Sequence, residues 1–205
     1  MKTITFDFGN VLAHFDHRIT AEKLLPHTTL NADELIRAIY CGQPEIEYEC
    51  GRLSTEEYFR TILPDSKLTC SPGEFVAAFE DIFSRNSEVS ELIPRLKPRY
   101  RLLLASNTNA AHYAKYSVQF APVLAHFDAF CPSHLLGHRK PNAGYFAACQ
   151  RSAQAEPGEC LFIDDLPENV EAARTHGWQG LVYRPGEDLE KQLRGMGIQF
   201  DGPVR

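Results

Sequence analysis

Ile4-Thr5-Phe6-Asp7-Phe8-Gly9-Asn10-Val11-Leu12 near the start of the chain and Leu161-Phe162-Ile163-Asp164-Asp165 far along it decide the reading of the fold. Each is a short apolar run that ends in carboxylate. Apolar runs of this length read as buried strands, and the carboxyl ends of strands are where an open α/β sheet places its chemistry. Two such ends side by side make a cation site.

Outward from the first strand the pattern turns helical. Asn31 with Glu34, Ser54 with Glu57, and Ser71-Pro72 with Glu74 have the spacing of helix-start capping boxes. Gly42, Gly51 and Pro64 follow periodic apolar stretches such as Leu35, Ile36, Ile39, Tyr40 and Tyr58, Phe59, Ile62, Leu63, and are expected to stop helices. Helices are therefore expected to fill residues 17–84. From Ser87 onward the pattern alternates: a helix to Lys97, a strand over 102–105, a helix from near Ala110 to Gln119, and a short strand near Phe130. A helix from Pro141, a strand over 160–163, a helix from Pro167, a strand over 181–183 and a last helix follow. Alternation of this kind implies a parallel sheet with helices on both faces. The helical block interrupts it directly after strand one, where a catalytic loop belongs, and an insertion there can act as a lid. The expected division is an α/β core over 1–15 and 86–200 with a helical domain over 16–85. The tail from Asp201 to Arg205 is expected to be loose.

Composition narrows the function classes. The 205 residues, 43% hydrophobic and 23% charged, suit one globular domain with a modest insertion. A net charge of -6 without a Lys/Arg run argues against a nucleic-acid partner, because phosphate backbones are bound through clustered basic groups. The N-terminus enters its first strand too soon for a signal-peptide core, and no apolar run approaches the roughly 20 residues of a membrane span. A cytoplasmic protein without a membrane partner, monomeric or homodimeric, is the expectation. The six cysteines form no C-x-x-C pair and are read as buried free thiols.

Four segments fall at the expected carboxyl ends of strands: Asp7, Ser106-Asn107-Thr108-Asn109, Arg139-Lys140-Pro141, and Asp164-Asp165. Asp7 and Asp165 held about 4 Å apart would repel by roughly 4 kcal/mol at an effective dielectric of about 20, so something positive must sit between them. Oxygen ligands select Mg²⁺. With a phosphate dianion added, two carboxylates and the phosphate bring about -4, and Mg²⁺ with Lys140 returns about +3, the near balance that phosphoryl transfer needs. Ser106 and Asn107 are donors at the right strand end to hold phosphate oxygens, assisted by backbone N–H groups of the following helix.

Those four segments, in that order, resemble the motifs of the haloacid dehalogenase superfamily, subfamily I, over about residues 1–185. The resemblance implies a Rossmann-like parallel sheet in a three-layer α/β/α core with an inserted α-helical cap. Position by position, Asp7 resembles the nucleophile that becomes aspartyl phosphate, Ser106 with Asn107 resembles motif two, and Lys140 resembles the motif-three lysine that steadies nucleophile and phosphate. Asp165 resembles the metal ligand of motif four, with Asp164 in the place of the usual glycine; Asn169 is similar to the outer-shell ligand, and Gly9 can offer its carbonyl to Mg²⁺. A small phosphorylated metabolite is the implied substrate. Phe-Asp-x-Gly-Asn-Val with Ser-Asn-Thr-Asn and Arg-Lys-Pro is similar to bacterial α-glucose-1-phosphate phosphatases of the superfamily.

One departure matters. The common motif is Asp-x-Asp, and Gly9 stands where the second aspartate, the general acid and base, is expected. General acid–base help is typically worth about 10² to 10⁴, so its absence should hurt basic leaving alcohols most and favour a sugar 1-phosphate, whose anomeric hydroxyl is more acidic. His14 and His17 follow the nucleophile loop and are either replacements for the missing group or hinge and surface residues. Glu47, Tyr48, Glu49 and Arg52 either face the site and choose the substrate or form a solvated helical face. Trp178 is expected to pack against the sheet. Two other functions compete with the phosphatase: a catalytically weak phosphate-binding module, motivated by Gly9, and a 2-haloacid dehalogenase, which has no use for the Asp164-Asp165 pair. Phosphonate cleavage lacks a clear cap lysine, Lys23 being the obvious candidate.

Overall fold

Apolar runs become the central strands, and helix-capping sequences become the layers around them. The computed structural model describes residues 1–202. In chain order the elements are β1 (Thr3–Asp7), β2 (Ala13–Phe15), α1 (His17–Leu24), α2 (Ala32–Tyr40), α3 (Gln43–Glu49), α4 (Thr55–Ser66) and α5 (Pro72–Phe79). Then follow β3 (Phe83–Arg85), α6 (Ser87–Leu96), β4 (Arg101–Ser106), α7 (Ala110–Gln119), α8 (Ala121–Leu124), β5 (Ala129–Pro132) and α9 (Ser133–Leu136). The chain closes with α10 (Ala143–Ala153), β6 (Cys160–Asp164), α11 (Pro167–Thr175), β7 (Gln179–Val182) and α12 (Leu189–Gly195).

The five-stranded sheet has the order β5-β4-β1-β6-β7 and is parallel at every pairing. β1 is central and buried at all its residues, which explains why it reads as a continuous apolar run rather than as an alternation. Side chains alternate across the sheet: Ile4, Phe6, Leu104 and Ile163 enter one core, and Leu103, Ala105 and Phe162 enter another with Tyr145, Phe146 and Trp178. Trp178 is buried, lies edge-on to Phe146 at 6.1 Å, and donates from Nε1 to Gln150 Oε1 at 2.5 Å, so it packs as expected. The register sets Asp7 opposite Ala105 and Phe6 opposite Ile163, so β1, β4 and β6 all end at one edge. This is the α/β sheet of the Rossmann-like, three-layer kind.

The helical insertion has its own core, built from Leu35, Ile39, Tyr58, Phe75 and Phe79 among others. All three expected capping boxes are formed, at Asn31, Ser54 and Ser71, each contributing about 1 kcal/mol. The insertion is not helical to its ends. β2 and β3 pair antiparallel, Ala13 with Arg85 through Phe15 with Phe83, and this ribbon carries both chain crossings. Three-residue strands are shorter than the window in which alternation is visible. Pro64 likewise does not stop a helix: it lies in the last turn of α4, where the bond its missing N–H forfeits is offset by burial of Tyr58, Phe59 and Ile62, and the helix ends at Lys67 with φ 50°. The helix expected from Pro141 begins at Ala143 behind the cap Asn142. All six cysteines are free, but Cys41 is exposed. In the tail, the Asp201 N–H donates to the Arg95 carbonyl at 2.9 Å and its carboxylate pairs with Arg99, so Asp201 is tied down. The rest of that expectation, Pro203 to Arg205, lies outside the described residues. Among the described residues no helix is long and apolar enough to cross a membrane.

Gly51, between α3 and α4, has φ +69°, and a Cβ there would lie 2.0 Å from the His134 carbonyl oxygen on α9. Here the backbone of the insertion comes close to that of the sheet domain. Gly51→Ala is expected to cost at least about 1–3 kcal/mol from the left-handed conformation alone, with the clash added. Thermal unfolding should show a midpoint lowered by about 2–4 °C per kcal/mol; an unchanged midpoint would mean that Gly51 is neither left-handed nor packed against His134.

Candidate active site

The strand ends bring the carboxylates together around one ammonium. Asp7, at the end of β1, accepts at Oδ1 from the Phe8 N–H at 2.7 Å and from Lys140 Nζ at 2.6 Å. Lys140 Nζ also donates to Asp164 Oδ2 at 2.7 Å. Asp164 is completely buried at the end of β6, and its Oδ1 accepts from Asn169 Nδ2 and from the Leu166 N–H, both at 2.9 Å. Asp165 Oδ2 accepts from Asn10 Nδ2 at 3.0 Å. Asn10 holds that position with φ 54°, a left-handed conformation that asparagine tolerates better than most residues.

Charge is unbalanced here. One oxygen from each of Asp7, Asp164 and Asp165 lies within 4.8 Å of the others, so three carboxylates meet the single Lys140. Burial, with Asp164 and Asp165 pushing in the same direction and Lys140 against it, raises the Asp7 carboxyl to about 8. Burial also raises Asp165, countered by the bond from Asn10. Burial works to lower Lys140, which is 2% exposed, but Asp164 and Asp7 outweigh it and keep the ammonium charged. An all-oxygen donor set with surplus negative charge fits a hard divalent cation. Asp7 and Asp165 are the more open of the three to such an ion, and Asp164, which completes the group, already accepts at both oxygens from Lys140, Asn169 and Leu166.

Asn107, of motif two, does structural work as well. Asn107 Nδ2 donates to the Lys140 carbonyl at 3.0 Å, and its Oδ1 accepts from the Lys140 N–H at 2.8 Å. One N–H and the carbonyl oxygen of its amide therefore hold the backbone of Lys140, and the second N–H remains for a phosphate. Ser106 is buried at the end of β4, with its hydroxyl in only a long 3.4 Å contact to the Asn107 carbonyl, which leaves it available. The adjoining loop is clamped by Ser133, whose Oγ accepts from the Thr108 N–H at 2.9 Å and donates to the Thr108 carbonyl at 2.8 Å.

Asp7, Gly9, Ser106, Asn107, Lys140, Asp165 and Asn169 all line one cleft of about 250 Å³ beneath the insertion. A larger groove of about 380 Å³, between α6 and the start of α12, contains none of these strand-end residues, so chemistry rather than size selects the smaller one. At Gly9 a Cβ would meet Phe15 Cε1 at 2.9 Å. The Phe15 ring thus covers the place from which a second aspartate would project. His17 packs against Phe15 at 5.1 Å and stacks on Tyr40 at 3.6 Å, forming an aromatic wall of the cleft. Burial lowers His17 to about 4, so it is neutral near pH 7. His14 sits in the ribbon opposite Ser84 and does not line the cleft.

The helical residues singled out from sequence separate as well. Glu49 lines the cleft beside Arg139, with Oε2 and Nε 3.0 Å apart but not aligned as a hydrogen bond. Tyr48 is buried and accepts from the Ala111 N–H at 3.2 Å, while Glu47 and Arg52 pair with each other at 2.8 Å away from the cleft. Lys23 pairs with Asp81 at 2.8 Å on the surface. Sequence reasoning passed over Asn10, Glu45 and His112. His112 is buried and neutral, lowered by burial to about 3; its Nδ1 accepts from Asn109 Nδ2 at 3.1 Å and its Nε2–H donates to the Phe79 carbonyl at 2.9 Å. It ties the motif-two loop to the last helix of the insertion. Nothing in a lone histidine on a helix signals that.

A family model described as haloacid dehalogenase-like hydrolase matches residues 1–177. The chain belongs to the haloacid dehalogenase-like hydrolases. It is 25% identical over 202 residues to the D-ribitol-5-phosphate phosphatase of Bacteroides thetaiotaomicron, covering 94% of this chain and 97% of that one. A HAD family enzyme from the same organism, solved in complex with magnesium and inorganic phosphate, superposes with a TM-score of 0.81 at 23% identity over 95% of this chain and 100% of that one. A HAD-like hydrolase of Porphyromonas gingivalis superposes with a TM-score of 0.82 at 26% identity over 97% and 99%. The chain is therefore an enzyme of a hydrolase family, and its carboxylate cluster lies where a HAD fold brings its strand ends together.

Proposed function

We propose that this protein is a Mg²⁺-dependent phosphatase that hydrolyses a small phosphate monoester through an aspartyl-phosphate on Asp7. The observation that carries the reading is Asp7 at the central strand end, gripped at Oδ1 by Lys140 and the Phe8 N–H, with Asp165 facing the same cleft. The remaining oxygen, Oδ2, forms a bond to phosphorus as the bond from phosphorus to the alcohol oxygen breaks, and water then displaces the carboxylate to release inorganic phosphate. Bound between Asp7, Asp165 and the Gly9 carbonyl, Mg²⁺ would neutralise charge on the transferring phosphoryl group. Ser106 donates to a phosphate oxygen, and Lys140 steadies both phosphate and nucleophile. Asn107, Asp164 and Asn169 hold Lys140 and the motif-four turn in place. The insertion over 16–85 acts as a cap that excludes water.

The size of the cleft supports a small substrate, because ligand pockets usually run from about 300 to 1,000 Å³. With Phe15 over Gly9 no carboxylate stands ready to protonate the leaving oxygen, which favours the more acidic anomeric hydroxyl of a sugar 1-phosphate. The relative's named substrate is a pentitol 5-phosphate, a primary-alcohol ester, so the two belong in one panel. Phosphate release should be measured from glucose 1-phosphate, ribitol 5-phosphate, a nucleoside monophosphate and an aryl phosphate, with Mg²⁺ or chelator. Release that chelator abolishes is expected, with the nucleotide poorest. Faster hydrolysis of ribitol 5-phosphate than of glucose 1-phosphate would refute the leaving-group argument, and no release at all would favour a phosphate-binding module.

A further inference from the structure

We infer that Glu45, on α3, recognises a hydrogen-bond donor on the carbon skeleton of the substrate, a hydroxyl or an ammonium, at the end remote from the phosphate. The inference rests on the phosphatase reading and adds a specificity residue to it.

Glu45 lines the cleft, yet its carboxylate makes no hydrogen bond or ion pair with any described residue. Several other acidic side chains of the insertion are engaged: Glu34, Glu57 and Glu74 close capping boxes, Glu47 binds Arg52, and Lys23 binds Asp81. Glu45 and Glu49 stand one turn apart on the same face of α3, so two carboxylates share the wall with one guanidinium, Arg139, which lies against Glu49. Burial and Glu49 together raise the Glu45 carboxyl to about 8, against a smaller pull from Arg139. A half-buried acid with no partner is stabilised when a ligand supplies one.

The chemistry of the ligand follows from which end of the cleft is which. The floor carries Lys140, the Ser106 hydroxyl and the cation-binding carboxylates, and takes the phosphate. A dianionic phosphate finds its cations on that floor and not at the Glu45 and Glu49 wall, where the one guanidinium, Arg139, already lies against Glu49. What faces Glu45 is therefore the organic part of the ester, and because a carboxyl oxygen accepts a hydrogen bond whether or not the group is ionised, a hydroxyl or ammonium there meets an acceptor at either side of its titration. The cleft has room for few carbons beyond the phosphate, so that donor sits on the same short skeleton.

Three five-carbon esters test this: ribitol 5-phosphate, 5-aminopentyl phosphate and pentyl phosphate. Native protein is expected to prefer at least one donor-bearing ester over pentyl phosphate in kcat/KM. Glu45→Leu should lower kcat/KM for that ester at least about tenfold while leaving pentyl phosphate within about twofold, because only the former loses a hydrogen bond to a charged or acidic group. Glu45→Gln should retain a hydroxyl ester and lose an ammonium ester, which separates the two sources. An equal fall for all three esters, or no fall for any, overturns the inference. Calorimetric titration of the same esters into Asp7→Asn protein, with and without Glu45→Leu, reads recognition without turnover. If the phosphatase reading fails, loss of the donor preference in Kd still supports the role of Glu45, and equal affinities overturn it.

Discussion

Asp7→Asn is expected to lose phosphatase turnover by about 10³ or more and, in the presence of chelator, to unfold at a higher temperature than the native protein. The loss follows from chemistry: an amide nitrogen or carbonyl in that position is no nucleophile towards phosphorus, and the other open carboxylate of the cleft, Asp165, stands after a different strand and is held by Asn10. The gain in stability follows from electrostatics. Burial beside Asp164 and Asp165 raises Asp7 to about 8 in the folded protein, whereas an unfolded chain ionises an aspartate near pH 3.9. Between about pH 4 and pH 8 the folded state therefore holds a proton that the unfolded state has released, so the native protein loses stability as pH rises through that window. The asparagine variant has no such proton. The gap between the two unfolding midpoints should widen from pH 4 to pH 8, and added Mg²⁺ should narrow it by binding the native carboxylate. Turnover retained by the variant would remove Asp7 from the nucleophile role, and a gap that stays flat with pH would show that its carboxylate is not under strain. A residue kept for activity at a cost in stability is what a functional site is expected to contain.

How far the sequence could be read depended on the length of the signal. β1, β4 and β6 are visible as apolar runs because burial on both faces removes any polar alternation, and their ends are visible because carboxylates and Ser-Asn interrupt those runs. The capping boxes at Asn31, Ser54 and Ser71 are visible for a similar reason: two residue types at fixed spacing are needed to satisfy the same backbone groups. The β2–β3 ribbon is not visible, since three residues cannot display a period, and what holds it is long-range. Asn86 Nδ2 donates to the Val11 carbonyl at 2.9 Å, across 75 positions of sequence. The same limit governs the site. Lys140 could be placed beside Asp7 through the order of motifs, but not the double use of Asn107 that fixes its backbone, and not Asn10 on Asp165. Gly9 was legible as a missing acid; that an aromatic ring covers the gap is a matter of packing, settled by a residue in another strand.

Lys140→Met should be more damaging to the fold than any other single change in the site. The ammonium is 2% exposed and bonded to both Asp7 and Asp164, so its removal leaves the buried Asp164 without its cation, beside an Asp7 that holds its proton near pH 7. Breaking a buried ion pair from one side typically costs about 3–5 kcal/mol, much of it the penalty of the charge left behind. At about 2–4 °C per kcal/mol for a chain of this size, the unfolding midpoint should fall by about 6–20 °C at pH 7. The deficit should be smallest where Asp7 keeps its proton and can donate it to Asp164, and should grow as pH rises through about 8 and the native Asp7 ionises beside Lys140. Lys140→Arg is not expected to rescue it: the guanidinium is larger and planar, and the space is closed by Asp164 and the Phe162 ring, whose centroid is 5.5 Å from Nζ. Turnover should be at background in both variants even at temperatures where they are folded. The arrangement makes one side chain serve two ends. Lys140 balances the carboxylates that the empty fold must tolerate, and it is also the cation that meets the phosphate. A methionine variant with a native midpoint at neutral pH would mean that the ion pair contributes to catalysis alone.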